Sequence, residues 1–220
     1  MKVVALIPAY GEAPHIGDIV CRARAQVAGV IVVDDGSPDA TAQAARESGA
    51  EVIVHARNEG KGAALKTGLR ALLERDVDAV ILLDGDGQHL PEEIDRFLAA
   101  AATETHGIFV GNRMAKPKGM PFLRWGTNRF LSWAVSRVCG VRIPDTQCGF
   151  RLIRREVIPG LFCESNGYDY ETEMLLRAAA GVRIASVPVT TVYAGEKSKI
   201  RPLRDAWRLW KLLLRYRKNP

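Results

Sequence analysis

Asp84 and Asp86 stand two residues apart in the stretch VILLDGDGQH (80–89), with Gly85 between them and Gly87 after. An aliphatic run that stops in two carboxylates reads as the end of a buried strand, and turns at both glycines bring the two acids to one small volume. Hard oxygen donors of this kind suit Mg2+ or Mn2+, which in turn hold a diphosphate, and Gln88 adds a neutral oxygen. Asp-Gly pairs are also ordinary turn chemistry, so a solvated turn is the competing reading.

The segment VVDDGSPDAT (32–41) repeats the pattern, with Asp34 and Asp35 at the edge of an apolar run. An aspartate there can accept from a nucleobase imide or a ribose hydroxyl. Ser37 and Pro38 read as a helix N-cap followed by proline at the first helical position. NEGKGAALKTG (58–68) lacks the phosphate-loop spacing of glycines and lysine. Gly60 and Gly62 still permit close approach to a ligand, and Lys61 brings positive charge to an anion. Farther on, Asp145, Asp169 and Glu171 are carboxylates available as general bases. Their alternative role is structural, as caps or as partners of Arg151 and Arg177. His15, His55 and His106 show no ligand spacing, and His89 lies beside the Asp84–Asp86 loop.

These loops need a scaffold, and the chain supplies one by alternation. Short β-branched runs at VVALIPA, VIVVDD, EVIVH and AVILLD are each followed by a helical pattern, over 13–28, 38–48, 61–75 and 91–102. This is the signature of an α/β fold with a mostly parallel central sheet and crossover helices on its faces. In such sheets ligands bind beyond the carboxyl ends of the strands, where Pro8 to Glu12, Asp34 to Pro38 and Asp84 to His89 converge. Beyond residue 105, GIFVGNR and IASVPVTTVY read as strands and 122–139 as an aromatic-rich helix. A single domain is expected, with 1–105 as the nucleotide half, 106–201 as the acceptor-side half and 202–220 as a basic amphipathic helix.

The 220 residues carry a net charge of +6, which points to an anionic partner. Cys21, Cys139, Cys148 and Cys163 form no C-x-x-C pair, which argues against zinc and against a disulfide framework. The opening apolar run is cut by Pro8 and Gly11 too early for a signal peptide. No stretch reaches the roughly 18 to 20 apolar residues of a membrane span, so a cytoplasmic location with peripheral membrane contact is expected. The tail supports that contact: Leu203, Trp207, Trp210 and Leu214 fall on one helical face, with Arg204, Arg208, Lys211 and Arg215 largely opposite. No nucleic-acid reader motif accompanies the basic residues.

Taken in order, IPAYGE (7–12), VVDDGSPDAT, NEGKGAALKTG, LLDGDGQHLPEEI (82–94), GNR (111–113), DTQCGFR (145–151) and GEKSK (195–199) resemble glycosyltransferase family 2. The likeness is to its dolichyl- and polyprenyl-phosphate mannosyltransferase-like branch. That resemblance implies a GT-A fold and an inverting, metal-dependent transfer from a GDP- or UDP-linked sugar to polyprenyl phosphate, or alternatively to a hydroxyl acceptor. A nucleotide-sugar-binding protein without turnover is a further alternative, opposed by the intact Asp84 and Asp86 pair. The implied nucleotide-sugar contacts are Pro8, Ala9, Tyr10, Glu12, Val33, Asp35, Lys61, Asp84 and Gly85. Asp86, with Asp84 and Gln88, is implied to hold Mg2+ or Mn2+, and Asp86, Asp145 and Glu171 are the catalytic candidates. Arg113, Arg129 and Lys199 are the candidates for diphosphate or acceptor phosphate. Relatives commonly read DRxxGESK before that lysine, whereas this chain reads TTVYAGEKSK. The implied partners are the donor, the lipid acceptor, a membrane surface and a membrane-embedded subunit.

Overall fold

The computed structural model describes residues 1–115, 119–190, 192 and 210–216. Its core is a seven-stranded sheet in the order β3-β2-β1-β4-β6-β5-β7. β1 (Val3–Ala9), β2 (Gly29–Asp34), β3 (Glu51–Val54) and β4 (Ala79–Leu82) are mutually parallel and alternate with α1 (Ala13–Arg24), α2 (Thr41–Glu47) and α3 (Lys61–Leu73). The expected α/β architecture is therefore the one the chain adopts.

β1 lies inside the sheet and buries all seven of its residues, which is why it reads as an unbroken apolar run. α1 lays Ile16, Ile19, Val20 and Ala23 inward at helical spacing. α3 crosses close to β1 because Gly68 has no side chain: a Cβ there would lie 2.1 Å from Leu6 Cδ1. The carboxyl ends of β1, β2 and β4 point the same way, so the loops after them gather at one edge.

The second half continues the same sheet. β5 (Ile108–Asn112) and β7 (Ile184–Pro188) pair in parallel, while β6 (Arg151–Arg154) runs antiparallel between β4 and β5. Alternation does not reveal β6, a four-residue strand of Arg-Leu-Ile-Arg whose ends are charged. A 3-10 turn at Pro91–Glu93 leads into α4 (Ile94–Thr103), as the proline and acids suggest. α5 (Phe122–Cys139) matches its expected span, and α6 (Tyr170–Ala178) follows β6.

Ser37 and Pro38 are not the start of α2, which begins at Thr41. The reason is a tighter turn before it. The Ser37 hydroxyl donates to Asp34 and accepts the Gly11 N–H at 3.0 Å, and Asp39 accepts the Thr41 N–H at 3.1 Å. At the other end of the chain, 210–216 is helical. Leu212 and Leu213 pack with Val135 and Leu176, whereas Trp210 and Leu214 are exposed. Leu203, Trp207, Arg204 and Arg208 lie outside the described residues.

Candidate active site

The edge where the strands end brings the sequence-derived loops together. A Cβ placed on Gly85 would stand 3.4 Å from the Pro8 carbonyl and 3.5 Å from Ala9 Cβ and Glu12 Cγ. The β1 loop and the Asp84–His89 loop are thus in contact. Glu12 is buried and its N–H donates to Thr41 Oγ1 at 2.9 Å, which ties the first loop to α2. Tyr10 is exposed, and Val33 is buried beside Pro8 in the sheet.

Lys61 lies at the centre. As the first residue of α3 it extends its ammonium between two carboxylates, 2.6 Å from Asp84 Oδ1 and 2.7 Å from Glu171 Oε2. The anion that meets Lys61 is the protein's own. Burial works against its charge, but the two carboxylates raise its pKa above that of an ordinary lysine. Burial likewise opposes ionisation of Asp84, yet Lys61, with His89 and Arg113, holds its pKa at about 2. Asp84 is a fixed negative charge.

Asp86 has a different environment. Its Oδ1 accepts the Gln88 N–H at 3.0 Å, and burial, followed by repulsion from Asp84, raises its pKa. Asp84, Asp86 and Glu171 together set three carboxylates against the Lys61 ammonium. That surplus of oxygen-borne negative charge is what a hard divalent cation offsets. Among the described residues, no group of three or more His, Cys, Asp or Glu forms a ready metal cage. The donor set therefore fits Mg2+ or Mn2+ held by one or two carboxylates with a substrate phosphate completing the shell.

His89 supports this loop from beneath. Its Nδ1 accepts the Asp84 N–H at 3.3 Å, its ring stacks on Phe150 at 5.1 Å, and burial lowers its pKa. Gln88 Oε1 lies 3.5 Å from an Arg124 nitrogen at the start of α5.

The two later catalytic candidates are each paired with a cation. Asp145 is fully buried and accepts from Arg113 through Nε at 2.7 Å, Nη2 at 2.9 Å and the backbone N–H at 3.1 Å. Both Asp145 oxygens are taken up in that pair, which anchors Arg113. Glu171 faces the site but is joined to Lys61. Asp169 precedes α6 without capping it through its side chain. Arg129 is exposed with its guanidinium 5.6 Å from the Trp125 ring, and Lys199 lies outside the described residues.

The aspartate pair after β2 divides its work. Asp34 closes its own turn through Ser37, whereas Asp35 braces the next loop. Asp35 accepts the N–H groups of Glu59 at 2.9 Å and Gly60 at 2.7 Å, and His55 Nδ1 lies 2.8 Å from Oδ1. Gly60 and Gly62 make close approach to the protein itself: a Cβ on either would come within 3.0 Å of the Asn166 carbonyl oxygen.

Sequence reasoning did not single out Gly149, gave His55 no role and expected Arg151 to pair with a carboxylate, whereas it binds backbone carbonyls. His55 fixes Asp35. Gly149 faces the carboxylates, and a Cβ there would lie 2.9 Å from Asp84 Oδ2 and 3.0 Å from Glu171 Oε1. Arg151, fully buried, donates to the carbonyls of Cys148 at 2.8 Å, Glu171 at 2.6 Å and Thr146 at 3.0 Å, pinning the 145–150 loop to α6. The signal for the last two was the DTQCGFR motif, in which a glycine and an arginine follow Asp145.

The chain is similar in sequence and in fold to known proteins. Residues 4–162 match the family described as glycosyl transferase family 2. The undecaprenyl-phosphate mannosyltransferase of Micrococcus luteus is 33% identical over 208 residues, covering 87% of this chain and 84% of that one. The UDP-N-acetylglucosamine–dolichyl-phosphate N-acetylglucosaminyltransferase of Methanococcus voltae is 29% identical, covering 87% and 86%. In fold, the chain is similar to Mycobacterium tuberculosis glucosyl-3-phosphoglycerate synthase solved with Mn2+, UDP and glucosyl-3-phosphoglycerate. That match has a TM-score of 0.75 at 21% identity and covers 100% of this chain and 81% of that chain. A GT-A sheet whose strand ends gather the aspartate loops belongs with that sequence match, and the chain is a member of glycosyl transferase family 2.

Proposed function

We propose that this glycosyltransferase transfers a sugar, with inversion and with Mg2+ or Mn2+, from a GDP- or UDP-linked donor to polyprenyl phosphate. The observation that carries the acceptor choice is the engagement of Asp145 by Arg113 and of Glu171 by Lys61. A sugar hydroxyl needs a base within reach, whereas a lipid phosphate is already anionic and attacks unaided. Two of the three carboxylates suited to a hydroxyl acceptor are thus held by cations. The activities for which the two relatives are named, each on an undecaprenyl or dolichyl phosphate, support the same reading.

In this mechanism Pro8, Ala9, Tyr10, Glu12, Val33 and Asp35 form the nucleotide side, with Asp84 and Gly85 beside the diphosphate. Asp86, with Asp84 and Gln88, would hold the divalent cation, which when bound would offset the negative charge of the diphosphate. Lys61 keeps Asp84 ionised and in place. His89 and Gly149 hold the loop geometry, and Arg113, fixed by Asp145, lends positive charge on the acceptor side with Arg129 and Lys199. One displacement on the face opposite the diphosphate inverts the anomeric carbon. Among the described residues no helix is long and apolar enough to cross a membrane, and we place the protein peripherally at the cytoplasmic face.

The test is nucleoside diphosphate release across GDP- and UDP-sugars, with each metal, with and without polyprenyl phosphate. Release that requires lipid phosphate supports the reading. Stimulation by saccharide acceptors alone, abolished by Asp169→Asn, overturns the acceptor.

A further inference from the structure

α5 is turned inside out for a helix in water. Its buried residues are Asn128, Ser132 and Val135, whereas Phe122, Leu123, Phe130 and Trp133 are 84%, 82%, 62% and 63% exposed. At about 100° per residue these four apolar side chains fall within one arc of about 100°. Scattered exposed apolar residues are normal, but a contiguous aromatic face opposite a polar inner face marks an interaction surface.

The inner polarity has a local cause. Ser132 Oγ accepts the Thr146 N–H at 2.9 Å, Ser136 Oγ accepts the Ile143 N–H at 2.9 Å, and Arg124 reaches Gln88. α5 thereby fastens the loop that carries Gly149 to the metal loop. Its outer face takes no part in this and is left to solvent.

Charge identifies the occupant. From residue 105 to 144 the sequence contains no Asp or Glu, and its exposed cations include Arg129, Arg137 and Arg142, whereas Arg113 is buried against Asp145. On α5 itself the charged residues that lie on or beside the apolar arc are cations, Arg129 and Arg137, both exposed. Two copies of this face meeting would set like charges against one another. An anionic bilayer satisfies both features, since aromatic and leucine side chains enter the acyl boundary while arginines meet the headgroups.

We infer that the outer face of α5 docks on an anionic lipid bilayer, seating the active site at the headgroup level. The inference deepens the lipid-acceptor reading and rests on it for its purpose. The 210–216 helix packs on α5 through Leu212, Leu213 and Val135, away from the outer face. The membrane contact is thus built into the catalytic domain and does not depend on the C-terminal segment alone.

The experiment is flotation of the full chain with phosphatidylcholine vesicles containing or lacking phosphatidylglycerol, comparing wild type with Phe130→Ser/Trp133→Ser. Both positions are exposed, so an unchanged melting temperature and unchanged nucleotide binding establish that the variant is folded. Wild type binds the anionic vesicles, and the variant loses at least about tenfold in partitioning. Wild type that ignores anionic vesicles overturns the inference, as does a variant that binds them equally well. So does a lipid-free dimer of the wild type that the variant abolishes, because the face would then be covered by a second copy. Release of nucleoside diphosphate with a short-chain, water-soluble polyprenyl phosphate separates the two ideas. If that acceptor never stimulates release while α5 governs vesicle binding, the acceptor reading fails and the docking surface stands.

Discussion

Replacing Lys61 by Met keeps the length and volume of the side chain and removes only its charge. In the native protein the ammonium lies 2.6 Å from Asp84 and 2.7 Å from Glu171, with its own side chain 16% exposed. Removing one partner from a buried ion pair costs about 3–5 kcal/mol. The partial exposure of Asp84, 27%, puts the expected loss near the lower end, about 3 kcal/mol. For a chain of this size that is a fall in melting temperature of about 6–12 °C. The pH dependence has a definite sign. In wild type, Asp84 titrates at about 2, below its unfolded value of roughly 3.9, so its stabilisation is present above that unfolded value and fades as pH falls toward 2. Without Lys61 the carboxylates are harder to ionise, so Lys61→Met is most destabilised near neutral pH and approaches wild type in acid. Adding Glu171→Gln removes one of the two stranded charges and restores more than about 1 kcal/mol. Thermal melts of the four proteins of this cycle, taken across pH, provide the assay. Lys61→Met melting within about 1 °C of wild type at neutral pH, or a double variant no better than the single, would refute the reasoning.

Gly149→Ala brings a methyl group to 2.9 Å from Asp84 and 3.0 Å from Glu171, so the carboxylates must move. We expect kcat to fall by roughly 10- to 100-fold with a stability loss of about 1–3 kcal/mol, read by steady-state kinetics beside a melt. Asp145→Asn breaks the buried pair with Arg113 and costs about 3–5 kcal/mol; if Asp145 were instead a base, activity would collapse with stability intact. Iodoacetamide at mildly alkaline pH should modify Cys21 in the native protein and all four cysteines only after unfolding, as counted by mass spectrometry. Burial raises Cys139 to about 11 and Cys148 and Cys163 to about 12, so their reactive thiolates are scarce until well above the pH of the reaction.

The first half of the fold was legible because each of its strands is a buried apolar run and each connection a helix of ordinary length. The loops at the strand ends were legible for the same reason, since Asp84, Asp86 and Asp35 sit where a hydrophobic run stops. β6 was not, because a short strand with an arginine at each end carries no periodicity, and its antiparallel insertion is decided by the sheet it joins. The partners within the site were also invisible. Lys61 meets Glu171, and Arg113 meets Asp145, only through tertiary placement, so spacing left Asp145 and Glu171 open as bases. Ser37 resembled an N-cap because a hydroxyl that accepts a backbone N–H uses the same chemistry, here with Gly11 of the first loop instead of a helix. The aromatic content of α5 was plain in the sequence, but which side of the helix those rings take depends on the polar bonds of Ser132 and Ser136.

The most direct test of the central claim is metal-dependent release of nucleoside diphosphate by wild type and Asp86→Ala, with and without polyprenyl phosphate. We predict release that requires Mg2+ or Mn2+, that lipid phosphate stimulates, and that Asp86→Ala reduces by at least about 100-fold. Equal release by Asp86→Ala, or no binding of any nucleotide sugar by wild type, would contradict the account.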